Sequence, residues 1–467
     1  MIRGTIEFQR EKCIFDLDEV DFLLTIEKIT NRGDDEDYLD RFMSMEPFKS
    51  LFEGQLIGKT FEEDKFVHLN MHDLKQTNHN QFRGVVKSYL ITDEETLVFD
   101  ALDIQSDELN HFYHPQRSYS VTKKKTGDDS LNFKTYEENT DNFSFIFNAI
   151  HVDAKLENQK TIKQDSLNPI DIYANLKLKF EETKELSSAE ELTLLIRRLL
   201  IFITFRRNVI INKLIIKKKT HPNSPSYKEV GEFFVNLREN PIAAETDKKL
   251  ARRIIDFPLI KDNLKNLLMA MVNGKIYMSH VPDSNEDSRV ITPARYIMVT
   301  AGFEWQFSRS LQDKLSKETE DKYKEEREEI LNFFDSKVNE TTGRKKKFYR
   351  DAKKRALGEV GQKHTLAEKL VFAFEEFKEE LDVFIKNIFY INGIEFDSGY
   401  PDLATRIAQR RNDVGHGNIE RDPHEWYGID MLILEWLYYA MVLRDIGMSD
   451  EKIKISINDL FRRGLAL

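Results

Sequence analysis

The sequence predicts an α+β multidomain protein: a β-rich N-terminal domain over residues 1–186, a mixed α/β middle region over 187–288, and an all-α helical bundle over 289–467. Three observations carry this. Before residue 187, short alternating apolar segments are punctuated by Gly, Asn and Asp clusters. At Ser187 the chain changes character, with hydroxyls and then acids placed as at a helix start. After Pro293 the apolar residues recur almost everywhere at helical spacing.

In the first region, Gly84–Ile91 and Thr96–Phe99 read as strands flanking a hairpin turn at Thr92-Asp93-Glu94-Glu95, and Phe143–Lys155 reads as one further strand. A β-sandwich or similar antiparallel module is expected. In the middle region a helix from Ser187 to about Phe205 precedes a strand over Val209–Ile216 that ends in Lys217-Lys218-Lys219. A loop with Pro222, Asn223 and Pro225 follows, then helical periodicity over Ala251–Met271 with a break at Pro258. Pro293 suits a first helical turn, and the chain from Ala294 to about Asp335 starts apolar and turns densely charged. Leu366–Phe389 carries an apolar stripe with acids and lysines opposite. Ile429–Ile446 is apolar on nearly every side, so it needs partners on more than one side: its own bundle, or a second copy of the chain.

Composition bounds the function. Hydrophobic residues make up 40% and charged residues 32% of 467, enough for folded cores beneath a charged surface. A net charge of −11 argues against a general nucleic-acid coat protein, but not against a local basic patch. One cysteine, Cys13, rules out an internal disulfide framework and fits a reducing cytoplasm. Met1-Ile2-Arg3-Gly4-Thr5 lacks the apolar core of a secretory signal. The run Leu192–Phe205 is interrupted by Arg197 and Arg198 and is shorter than the roughly 20 residues that span a bilayer. A cytoplasmic protein without membrane contact is expected.

The chemistry concentrates in Arg410-Arg411-Asn412-Asp413-Val414-Gly415-His416-Gly417. A guanidinium grips phosphate through a fixed fork of donors, and an imidazole moves protons at neutral pH. No other histidine in the chain follows an arginine by five positions. Leu403, Ile407 and Val414 form the apolar stripe of this helix, with Arg411 at its edge. His416 would lie roughly 140° around the helix from Arg411. They meet at one phosphate only if the glycines end the helix and turn His416, or if two chains pair. The plainer reading is an arginine capping a carboxylate beside an ordinary helix-end histidine.

Arg411-Asn412-Asp413-Val414-Gly415-His416 resembles the Arg-x4-6-His signature of HEPN domains, and the order of long helix, motif helix and apolar helix is similar too. The whole layout resembles the ApeA-type HEPN ribonucleases of bacterial anti-phage defence, which carry a large β-rich N-terminal region. The resemblance implies a HEPN homodimer that cleaves RNA without a metal. The 2′-hydroxyl would attack its own phosphate, with His416 as acid/base, Arg411 clamping the phosphorane and Asn412 orienting His416 or touching the phosphate. It further implies abortive infection by damage to cellular RNA, tRNA among the candidates, and a phage-derived trigger at the N-terminal domain. The alternative is a non-catalytic helical bundle whose N-terminal module binds a ligand or protein.

Other features add less. Gly343–Arg350, extended by Lys353, Lys354 and Arg355, is the strongest basic patch. Lys345, Lys346, Lys347 and Tyr349 are its candidate RNA contacts, with Phe348 beside them, and a solvated charged turn is the alternative. Arg406 and Arg410 on the motif helix are steering candidates or surface charges. His68, His72, His79, His111 and His114 have zinc-like spacings but no cysteine pair, so no metal and no cofactor is expected. No Walker loop and no Gly-x-Ser-x-Gly elbow occurs.

Overall fold

A computed structural model describes residues 1–29, 52–78, 80–122, 130–135, 139–162, 170–221, 224–237, 244–250, 253–322, 324–359, 364–394, 396, 399–418 and 426–467. His79, Pro222, Asn223 and Ala251, named above, lie outside them. The chain forms two compact units: Met1–Phe257 with Leu267–Asn273, and Pro258–Asn266 with Gly274–Leu467.

Among the described residues the first unit is built on one antiparallel sheet of twelve strands. Its strands are β1 (Ile2–Phe8), β2 (Glu11–Asp18), β3 (Leu23–Lys28), β4 (Phe52–Thr60), β5 (Phe66–Asn78), β6 (Gln81–Thr92), β7 (Phe99–Gln105), β10 (Thr140–Phe147), β11 (Ile150–Ile162), β12 (Ile170–Thr183), β13 (Lys213–Lys219) and β14 (Tyr227–Val235). A separate small ribbon pairs β8 (Tyr119–Thr122) with β9 (Ser130–Phe133). Strands β6-β3-β2-β1-β4-β5 close on themselves because β5 also pairs with β6, giving a six-stranded barrel. Alternation fills it: Cys13, Phe15 and Leu17 of β2 and Val67, Leu69 and Met71 of β5 are all fully buried. Phe15 takes the room that two glycines leave. A Cβ on Gly58 would lie 2.5 Å from its ring, and one on Gly4 2.8 Å away. The sandwich expectation is therefore corrected to a barrel. The sheet then runs on from β6 through β14, β13, β7, β12 and β11 to β10.

Two local expectations change. The turn at Thr92–Glu95 makes no hairpin, since β6 pairs with β14, β3 and β5 and never with β7. The single strand over Phe143–Lys155 is a hairpin, β10–β11, turning at Asn148 and Ala149, both at positive φ (47° and 66°). That is the geometry of a type I′ turn, reached without the glycine that would have signalled it.

The middle region does not stand apart. Strands β13 and β14 insert into the first unit's sheet between β7 and β6. Helix α1 is Asp107–Phe112, and α2 (Leu186–Thr204) is the apolar run of the sequence. Glu190 of α2 accepts from Asn70 and Ser88, each at 2.8 Å, which ties the helix to β5 and β6. Glu185 rather than Ser187 is its N-cap. α3 (Asp247–Leu250), α4 (Phe257–Ile260) and α5 (Leu264–Val272) follow, with no helix over Arg253–Asp256 and Pro258 in the first turn of α4. Among the described residues no helix is long and apolar enough to cross a membrane.

The second unit is helical: α6 (Pro293–Ser310), α7 (Gln312–Lys322), α8 (Lys324–Glu340), α9 (Gly343–Glu359), α10 (Leu366–Glu376), α11 (Lys378–Ile391), α12 (Gly399–Gly415), α13 (Tyr427–Asp445) and α14 (Asp450–Leu460). Thr292 caps α6 through Arg295 N–H, with Pro293 in the first turn. The stripe over Leu366–Phe389 holds but divides at Phe377 into α10 and α11, and Thr365 with Glu368 forms a capping box at the start of α10. α13 is the centre of the bundle. Every residue from Ile433 to Leu443 is at most 2% exposed, so the chain by itself covers the apolar helix on all sides.

Candidate active site

The motif occupies the last two turns of α12, which packs on α6, α10 and α13. Leu403, Ala404 and Ile407 are fully buried and fix its inward face. Its C-terminus is a Schellman cap: Asn418 N–H donates to the Asp413 carbonyl (2.9 Å) and Gly417 N–H to the Val414 carbonyl (3.1 Å). Gly417 sits at φ +77°, the left-handed residue this cap requires. His416 directly follows the last helical residue, its N–H bonded to the Asn412 carbonyl at 2.9 Å and its side chain exposed. The glycines thus end the helix and leave the imidazole in solvent.

Arg411 is held from α6. Its Nη2 lies 3.5 Å from Glu304 Oε2, and its Nη1 donates to Asn412 Oδ1 at 3.3 Å. Glu304 also faces Lys369 of α10 at 3.9 Å. The Arg411 side chain is 41% exposed and that of Glu304 32%, so this long ion pair contributes little and a phosphate could displace it. Asn412 therefore touches Arg411 here rather than the His416 ring. Gly415 faces α6, where a Cβ would stand 4.0 Å from Ile297.

The neighbouring arginines point into the bundle. Arg406 makes a bidentate pair with Asp430 of α13 (3.0 and 2.8 Å), and that aspartate is fully buried. Arg410 is 7% exposed, with its guanidinium over the Tyr427 ring at 5.7 Å. Both anchor the motif helix in the bundle, and Arg410 is not the solvated surface charge that was the other reading. Tyr296 of α6 lies in the same polar core. Burial pushes its hydroxyl well above the usual phenol range and Asp430 adds to this, while Arg410 and Arg406 oppose it.

Sequence reasoning missed Glu304, Asp430 and Tyr296. Only Asp430 left a signal. It and Glu435 are acids within an otherwise apolar helix, which marks buried ion pairs. Glu435 meets Arg295 at 2.6 Å, and Arg295 also donates to the carbonyls of Asp287, Ser288 and Val290.

The basic patch is a helix, not a turn. Lys345, Lys346, Lys347 and Tyr349 lie on α9, which packs along α8, whereas the motif helix packs on α6, α10 and α13. Of the histidines, His68 is buried and bonds the Glu94 carbonyl through Nε2 at 2.9 Å, while His72 is exposed. The His111 and His114 rings are 6.4 Å apart. Among the described residues no group of three potential metal ligands occurs.

No family model, no curated protein and no solved structure matches this chain.

Proposed function

We propose that the helical unit is a HEPN-type endoribonuclease that cleaves RNA without a metal, with Arg411, Asn412 and His416 as its working residues. One observation supports this above the others: Arg411 is loosely held and His416 exposed at the end of a firmly anchored helix. In the reaction the RNA 2′-oxygen bonds to its phosphorus, the 2′-hydroxyl proton passes to a base, and the 5′-oxygen leaves with a proton from an acid. A 2′,3′-cyclic phosphate results. His416 serves as one of these groups. Arg411 moves from Glu304 to the equatorial phosphorane oxygens, and Asn412 keeps the guanidinium oriented. Proton transfer by a placed group is worth about 10²–10⁴-fold, and charge placed at the phosphorane a comparable factor or more.

One α12 turns Arg411 and His416 roughly 140° apart. Pairing two copies, so that each histidine meets the other's arginine, supplies both an acid and a base. With α13 covered inside one chain, pairing draws no support from that helix and rests on the geometry of the motif alone. In bacterial abortive infection such an enzyme damages cellular RNA, possible targets including tRNA, once a phage-derived trigger reaches the first unit. A polar depression of about 620 Å3 there, lined by Asp103, Gln105, Asp171, Tyr173, Lys213 and Glu229 among others, is of small-ligand size.

The second reading, a non-catalytic bundle with a ligand-binding module, is favoured by the Glu304 contact, which already gives Arg411 a carboxylate. Incubating the protein with total tRNA in chelator separates the two. Cyclic-phosphate ends are expected from the wild type and not from His416→Ala or Arg411→Ala, with the helical circular dichroism of both variants unchanged. Equal cutting by His416→Ala would overturn the assignment.

A further inference from the structure

In a chain of net charge −11, α9 carries eight cations (Arg344, Lys345, Lys346, Lys347, Arg350, Lys353, Lys354, Arg355) against two acids. The helix sorts them. Lys346, Tyr349, Ala352 and Lys353 are half-buried at i, i+3, i+6 and i+7, and Lys353 pairs with Asp335 of α8, so this side faces α8. Arg344, Lys347, Phe348, Asp351, Lys354 and Arg355 are exposed at i, i+3, i+4, i+7, i+10 and i+11 and form one outward stripe about 16 Å long. The four cations of that stripe make no ion pair among the described residues, although the acid-rich α8 is next door. Phe348, in the middle of the stripe, is 67% exposed.

A solvated helix face accounts for unpaired lysines and arginines. What sets this face apart is the combination: an exposed ring, whose burial would be worth about 1.5–3 kcal/mol, set in a row of cations without acid partners among the described residues. Cations spaced along a line with one bare aromatic face between them suit an anionic polymer whose flat bases are free to stack. A duplex offers the phosphates but keeps its bases inside. An anionic membrane offers charge but no flat partner.

We propose that the outer face of α9 docks single-stranded RNA, with Phe348 stacking on a base and Arg344, Lys347, Lys354 and Arg355 on phosphates. The choice of RNA over DNA rests on the nuclease reading above; the surface itself does not depend on the motif. Of the patch residues singled out in the sequence, Lys347 belongs to this face, Lys345 flanks it, and Lys346 and Tyr349 stand on the α8 side.

The test uses full-length protein carrying His416→Ala, so that binding is read without cleavage, and follows the fluorescence anisotropy of a labelled mixed-sequence 12-mer RNA. Four phosphate contacts give a log–log salt slope of roughly −3. Phe348→Ala weakens single-strand binding about tenfold or more and leaves duplex binding unchanged. Phe348→Trp restores it, and reversing the four cations to glutamate abolishes it, all with unchanged helical circular dichroism. Equal affinity of Phe348→Ala and its parent overturns the proposal. So does equal loss on single strand and duplex, or binding to phosphatidylserine vesicles through these residues without binding to RNA. The two readings fail separately. Phe348-dependent binding beside a wild type that never cuts sinks the nuclease and leaves the docking face standing, whereas cutting by the wild type with no Phe348-dependent binding sinks the docking face alone.

Discussion

Arg411, Asn412 and His416 were legible because the chemistry sits within one short segment. Glu304, which holds Arg411, was not, because its partner lies 107 positions away and an acid on a charged helix face carries no mark. Gly417 is the residue on which His416's placement depends. At φ +77° with nothing within 4 Å of a built Cβ, an alanine there costs backbone strain alone, about 1–2 kcal/mol. Gly417→Ala is therefore expected to fray the end of α12, read as faster exchange of the amides at position 417 and Asn418, and, on the nuclease reading, to lower cleavage without unfolding the bundle; Gly417→Asn, which tolerates the left-handed region, should act mildly. A second residue-scale prediction concerns pH. Burial holds the His68 imidazole below its ordinary value of 6.5, partly offset by its bond to the Glu94 carbonyl. Between the folded value and 6.5 the unfolded chain carries a proton that the folded chain refuses, so stability rises with pH there and is lost as pH falls below 6.5. Each pH unit in that window costs up to about 1.4 kcal/mol. Urea midpoints measured from pH 7.5 to 5.5 should fall more steeply for the wild type than for His68→Gln; parallel curves would remove His68 as the cause.

At the scale of elements, local pattern was enough where packing only had to confirm it. α13 was readable as a long run apolar on nearly every side, the α10–α11 stripe because a 3.6 period survives burial, and α6 because Thr292 and Pro293 mark its start. Readings went astray where the deciding contact was not local. The chain over Phe143–Lys155 looked like one strand because Ala149 is no turn former, yet β10 and β11 pair so well along their length that the turn follows. The break at Phe377 carries no glycine or proline. What marks it is the Arg444 guanidinium over the Phe377 ring at 3.8 Å, with Arg444 also bonded to the Glu376 carbonyl at 3.0 Å and to the buried Glu380. The capping box at Thr365 lets α10 start on its own terms. Thr365→Ala removes the acceptor for the Glu368 N–H and is expected to cost about 1 kcal/mol, whereas Thr365→Ser should be nearly neutral. Urea denaturation followed at 222 nm distinguishes them.

For the whole molecule, a barrel was out of reach of sequence reading because closure depends on β5 finding β6 on one side while β4 bridges to β1 on the other, and no local residue encodes that pairing. The same holds for the division into units. A three-part chain was expected because composition changes near residues 187 and 289. The compact units instead follow contacts, and these send β13, β14 and α2 to the barrel's side and carry the first unit past residue 257 to reclaim Leu267–Asn273. That returning segment gives a sharp prediction. Leu267, Leu268 and Met271 are fully buried. Each buried side chain of this kind is worth about 1.5–3 kcal/mol. Together they contribute roughly 5–9 kcal/mol, which is comparable to the whole stability of an ordinary domain at about 5–15 kcal/mol. A fragment ending at residue 257 would therefore lose most of its margin although it retains all fourteen strands of the described residues, whereas a fragment ending at residue 273 would keep it. Thermal melts followed by circular dichroism at 218 nm are expected to show a cooperative transition for residues 1–273, and a far lower or absent one for 1–257. Equal melting of the two would mean that the returning helical segment is dispensable to the barrel unit, and that the unit ends where the chain first leaves it.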